Sequence, residues 1–114
     1  MSKISISCSK PCKNLKAIQL VKKVTGISIG SIKERFSYGK SGIFYTTELF
    51  LNDNEERDRE IRELIDGFSN LGIDLFIIEI AYNENWKDIT DFESARISEE
   101  TLLNILDSAK RTGA

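Results

Sequence analysis

At 114 residues, with 40% apolar and 30% charged side chains, the chain has the size and composition of one globular domain, and no apolar run approaches the roughly 18 residues of a membrane span. It contains no histidine, which excludes imidazole base catalysis, Ser-His and Cys-His nucleophiles and His-bearing zinc sites. The net charge of -2 conceals a polarised chain: through Lys40 there are nine basic residues against the single acid Glu34, which leaves seven of the 16 basic and 17 of the 18 acidic residues for the remainder.

Ile4, Ile6 and Cys8 alternate with Ser5 and Ser7, so Lys3 to Ser9 reads as a strand with one buried face. Pro11 ends it and Asn14 is placed to cap a helix, along which Leu15, Ile18, Val21 and Val24 recur at helical spacing and Ala17 and Leu20 widen the stripe. Gly26 closes that helix, and Ser28 caps a shorter one carrying Ile29, Ile32 and Phe36. Residues Tyr38 to Gly42 read as a turn. Ile43 to Leu51 is rich in β-branched and aromatic residues and reads as a second strand.

Asn52 or Asp53 caps the next helix, Asn54 to Leu71, whose inner face is Ile61, Leu64, Ile65, Phe68 and Leu71; Glu55/Arg59 and Asp58/Arg62 are spaced to pair along it. Gly72 stops it. Ile73 to Ala81, the most hydrophobic run, reads as a third strand that is central or covered on both faces. Residues Tyr82 to Glu93 read as an ordered loop, and Ser98 with Glu99 and Glu100 starts a final helix on which Leu102, Leu103, Leu106 and Ala109 form the apolar stripe.

This order of strand, two helices, strand, helix and strand, with Lys22-Lys23-Val24-Thr25-Gly26-Ile27 at the first helix junction, resembles the C-terminal domain of the bacterial ribosomal stalk protein over roughly residues 3–81. The resemblance implies an α+β fold: a three-stranded antiparallel sheet with the first strand in the middle and the helices on one face. Residues 82–114 add a loop and helix to this single domain, and the helix is available to cover the other face of the sheet. In that family the first two helices present a basic surface to translation factors. Lys22 and Lys33 match basic positions of that surface, whereas Asn14, Gln19 and Gly30 stand where the family usually has lysines.

Several constellations read as structural. Cys8 and Cys12 form CxxxC without a second pair, too little for a zinc site or a disulfide framework. With no apolar signal-peptide core among the first residues, the expectation is a reducing cytoplasm. Gly39-Lys40-Ser41 lacks the glycine that a phosphate loop needs six residues before its lysine, where Glu34 stands. Glu79, alone in an apolar strand, reads as outward-facing or paired.

Two surfaces carry the functional expectation. Residues 82–93 combine Tyr82, Trp86 and Phe92 with Glu84, Asp88, Asp91 and Glu93, large rigid anchors among acids that complement a basic partner. The other is the basic set Lys13, Lys16, Lys22, Lys23 and Lys33, able to meet phosphates or an acidic protein. The sequence favours a non-enzymatic protein-binding domain without metal or cofactor. The first expectation is an immunity or antitoxin protein that neutralises a bacterial toxin, such as a basic nuclease domain, through the acidic segment. The alternative is a translation-associated, stalk-like module that binds a factor or RNA through its basic helices.

Overall fold

The computed structural model describes residues 2–48, 54–81, 83–85, 88, 91 and 93–113. In chain order the elements are β1 (Ser2–Cys8), α1 (Leu15–Thr25), α2 (Ile29–Ser37), a 3-10 turn (Gly39–Ser41), β2 (Tyr45–Glu48), α3 (Asn54–Asn70), β3 (Leu75–Ala81), a 3-10 turn (Glu93–Ala95), β4 (Arg96–Ile97) and α4 (Glu99–Gly113). The sheet order is β2-β1-β3-β4 with every pair antiparallel, so the expected α+β class and the central position of β1 are both present.

Local chemistry sets the helix ends. Asn14 Oδ1 accepts from the Ala17 N–H at 3.1 Å, and Gly26, at φ 78°, donates its N–H to the Lys22 carbonyl at 2.8 Å. Ser28 caps α2 by accepting from the Ser31 N–H at 3.4 Å, and Ser98 caps α4 by accepting from Thr101 at 3.0 Å. The expected caps Asn52 and Asp53 and the far end of the second strand lie outside the described residues.

Register divides the sheet into two faces. Residues opposite one another in antiparallel strands share a face, so Ile6 with Ile77 and Cys8 with Leu75 look one way, and Ser5 with Ile78 and Ser7 with Phe76 look the other. The first set joins Ala17, Ile18, Val21, Ile32, Phe36, Phe44, Ile61, Leu64 and Phe68 in the main core. At its centre the Phe44 and Phe68 rings stack at 5.6 Å, and Phe36 meets both edge-on at 5.4 and 6.2 Å. Side chains of this kind supply about 1.5–3 kcal/mol each when fully buried.

Three expectations are corrected. The sheet has a fourth strand: Arg96 and Ile97 pair with Ile78 and Ile77 along the otherwise open edge of β3. Two residues carry no legible alternation, and the pairing is dictated by the edge that β3 offers. α4 does not cover the second face, because its Leu102 and Leu106 are buried in the main core and Arg62 of α3 bonds Asp107 at 2.6 Å. All four of the helices described thus contribute to one core. Leu15, expected in the buried stripe, is 63% exposed, because it begins α1 beyond the edge of the layer that Ile18 and Val21 enter.

The second face is buried by other means. Phe76, Ile78 and Ile80 form their own cluster with Ala95 against it, while Lys40 and Arg96 lie over the Phe76 ring at 5.1 and 5.3 Å. β3 is therefore both central and covered on both faces, which explains the apolar run from Leu75 to Ile78. No helix among the described residues is long and apolar enough to cross a membrane.

Candidate functional site

The Tyr38-to-Gly42 turn organises one end of the molecule. Gly39 takes φ 60° and sits against Pro11, and a Cβ at Gly42 would fall 1.6 Å from the Arg35 carbonyl oxygen. Only glycine permits that approach, which brings Ile43 beside α2. The Lys40 amine then reaches Glu93 at 2.5 Å, so the glycine-lysine-serine sequence is a turn that ties the 3-10 turn Glu93–Ala95 to the second sheet face.

Within the acidic segment, Tyr82, Trp86 and Phe92 lie outside the described residues. Glu84, Asp88, Asp91 and Glu93 are all exposed, and three of their carboxylates are occupied internally. Glu84 Oε1 accepts from the Ala81 N–H at 2.9 Å while its carbonyl accepts from the Lys3 amine at 2.8 Å; Asp91 Oδ1 accepts from the Ser94 N–H at 3.3 Å; Glu93 holds Lys40. The Asp88 N–H bonds the Asn85 carbonyl at 3.0 Å. The chain's charge polarity is thus partly spent on contacts between its own two parts.

The basic set divides in the same way. Lys23 pairs with Glu63 of α3 at 2.9 Å, whereas Lys13, Lys16, Lys22 and Lys33 are exposed and have no ion pair among the described residues. Leu15 and Lys22, seven apart, share one stripe of α1, and Ile29 and Lys33, four apart, share one stripe of α2. Ile29 is 40% and Tyr38 60% exposed. The large hydrophobic side chains exposed among the described residues, Leu15, Ile29 and Tyr38, therefore all belong to this pair of helices and its C-cap.

Sequence reasoning missed a third feature, a cleft of about 280 Å³ where α1, α2, β2 and α3 meet. Val24, Ile27 and Phe44 give it apolar walls, and Arg35, Tyr45, Arg57 and Glu60 give it polar ones. The Tyr45 hydroxyl donates to Glu60 Oε1 at 3.0 Å, and Arg57 bonds the same carboxylate at 2.6 Å. Burial first, and then the adjacent Glu60 charge, push the Tyr45 phenol well above its ordinary pKa, so it stays a neutral donor. The Arg35 guanidinium donates to the Ile43 carbonyl at 3.3 Å. The three-residue spacing of Arg57 and Glu60 was the available signal, but nothing local connects them to Arg35.

Other singled-out residues are structural. Cys8 is in the core, and burial, reinforced by neighbouring Cys12, pushes its thiol up to about 12. Glu79 is half-buried opposite Ile4 and has an interaction partner, in keeping with a paired strand residue. Asp58, buried on α3, takes the expected partner Arg62 at 2.7 Å. Comparison of the chain with known protein families, with curated proteins and with solved structures finds no match, so its function rests on the surfaces described above.

Proposed function

We propose that this chain is a binding protein rather than an enzyme, and that it docks another protein on the exposed face of the α1–α2 pair. The observation that carries this reading is that the exposed Leu15, Ile29 and Tyr38, and Lys16, Lys22 and Lys33, which have no ion pair among the described residues, all belong to these two helices and their C-cap. Exposed apolar side chains and free positive charge are the materials of an interface, in which burial supplies affinity and charge supplies rate and orientation. The sign of the charge fits an acidic protein surface, or RNA phosphates in second place, and so suits a translation-associated module. Lys22→Glu with Lys33→Glu tests it by sedimentation with ribosomes and purified translation factors. Loss of association is expected, and unaltered association would exclude this surface.

A second reading is that of an immunity or antitoxin protein that covers a basic toxin domain with residues 82–93. The observation in its favour is that the described acids there are exposed while Glu84 and Asp91 are already held by local hydrogen bonds, which lowers the ordering cost of binding. Asp88→Lys with Asp91→Lys, titrated calorimetrically against a co-encoded basic toxin domain, should weaken binding at least tenfold. Equal affinity would remove this reading. Either role belongs in the bacterial cytoplasm, where Cys8 and Cys12 remain reduced.

A further inference from the structure

β2 has one partner, β1, and its other edge is open among the described residues. The direction of its backbone groups follows from β1. The Ser9 N–H donates to the Asp74 carbonyl at 3.1 Å in the register that pairs Cys8 with Leu75, so odd-numbered residues of β1 turn their backbone groups toward β3 and even-numbered ones toward β2. Ile4 and Ile6 therefore exchange hydrogen bonds with Thr47 and Tyr45. The Phe44 N–H also donates to the Ile6 carbonyl, at 3.0 Å, so Ile6 does turn its backbone toward β2. Thr46, between the two bonded residues, aims its N–H and carbonyl away from the sheet. Such groups are a template for another strand.

The cleft lies at this edge, since Thr46 lines it together with Val24, Ile27 and Arg35. Arg35 is half-buried and no carboxylate among the described residues pairs with it, while its planar fork presents five donors. Arg57, on the opposite wall, already holds Glu60. One uncompensated guanidinium, an apolar wall and an open strand edge therefore meet in one place.

We propose that the β2 edge takes an extended peptide segment of an acidic partner, which pairs its backbone with Thr46, sets an Asp or Glu carboxylate on Arg35 and lays an apolar side chain against Val24 and Ile27. Main-chain pairing supplies sequence-independent affinity and the side-chain contacts supply selection. Alternate residues of a strand face the same side about 6.6–6.8 Å apart, so the acidic and apolar side chains that enter the cleft are two positions apart in the ligand. This site is distinct from the hairpin face and does not depend on it.

The test begins with a random heptapeptide display library selected against the whole chain, and the recovered sequences are then made as blocked peptides and titrated into the ¹⁵N-labelled protein. The expected peptides share one acidic residue and shift the amide signals of Ile43, Thr46 and Thr47. Replacing that acid by its amide, methylating the peptide's strand-pairing nitrogens, or introducing Arg35→Gln should each weaken binding tenfold or more. Thr46→Pro removes the outward donor without touching the ladder to β1 and should do the same in a folded protein. If Thr46→Pro does not fold, the N-methylated peptide asks the same question of the unaltered chain. Lys22→Glu with Lys33→Glu should leave peptide affinity unchanged, which separates this site from the hairpin surface. No acidic enrichment, full affinity after N-methylation, or a concentration-dependent dimer that buries Thr46 in place of the peptide would overturn the proposal.

Discussion

Replacing Leu102 by alanine tests whether α4 is part of the core or an appendage to it. Leu102 is 0% exposed and sits in the main cluster with Leu106, whereas Leu15, the same residue type, is 63% exposed. Full burial of a leucine side chain is worth about 1.5–3 kcal/mol, and the cavity left by truncation raises the measured loss to about 3–5 kcal/mol where the surroundings do not collapse. α4 packs chiefly on α3, so it has room to relax; the expected loss is near the lower end, about 3 kcal/mol. For a domain of this size each kcal/mol moves the melting temperature by roughly 4 °C, so Leu102→Ala should melt about 12 °C lower. Leu15→Ala should change stability by less than about 0.5 kcal/mol. Urea denaturation followed by far-UV circular dichroism measures both. A loss below 1 kcal/mol for Leu102→Ala, or equal losses for the two leucines, would mean that α4 does not complete the core and that the assignment of all four helices to one layer is wrong.

Gly42→Ala should destabilise the fold by more than about 2 kcal/mol, because the contact at 1.6 Å is with backbone oxygen and cannot be relieved by a rotamer change; a melting temperature equal to that of the parent would refute the close approach. Ser5 is buried on the second sheet face and its hydroxyl has no hydrogen-bond partner among the described residues, so Ser5→Ala should raise stability, by about 1 kcal/mol in denaturant titrations, and a loss of that size would show the hydroxyl to be bonded. The Cys8 thiol ionises near 8.5 in the unfolded chain and at about 12 in the fold, so the folded state holds its proton longer and stability falls as pH rises across that window. The contribution is complete below about pH 8; comparing denaturation at pH 8 and pH 10, Cys8→Ala should lose less on alkalinisation than the parent, and identical losses would count against the raised value.

Local signals carried most of the fold. Asn14, Gly26, Ser28, Gly72 and Ser98 mark helix ends by capping and by glycine's tolerance of positive φ, which are short-range effects readable from neighbours. The apolar run from Ile73 to Ala81 left a central position and coverage on both faces as alternatives, and β3 has both, since Leu75 to Ile78 are buried whichever way they face. What escaped was non-local. β4 is defined by a free edge rather than by its own two residues, and α4's side of the sheet depends on Arg62 and Asp107, which are far apart in sequence. The candidate surfaces show the same division. Helical spacing identified the lysines of α1 and α2, but that Lys23 is consumed by Glu63, that Glu93 is consumed by Lys40, and that Arg35 opens onto a cleft with Arg57 follows only from how distant segments meet.

The central position of β1 has a consequence for synthesis. Of the strands of this sheet, β1 is made before the two that flank it, yet its longer partner begins at Leu75. At roughly 5–20 residues per second the chain needs several seconds to extend from Cys8 to that point, and during this interval β1 has only the short β2 to pair with. The α1–α2 pair, whose contacts are close in sequence, can form in that interval and offer Ile18, Val21 and Phe36 as a temporary apolar shelter. A pulse-labelled series of stalled nascent chains should therefore show α1–α2 protected first, and the three main strands protected together only once Ala81 has cleared the exit tunnel.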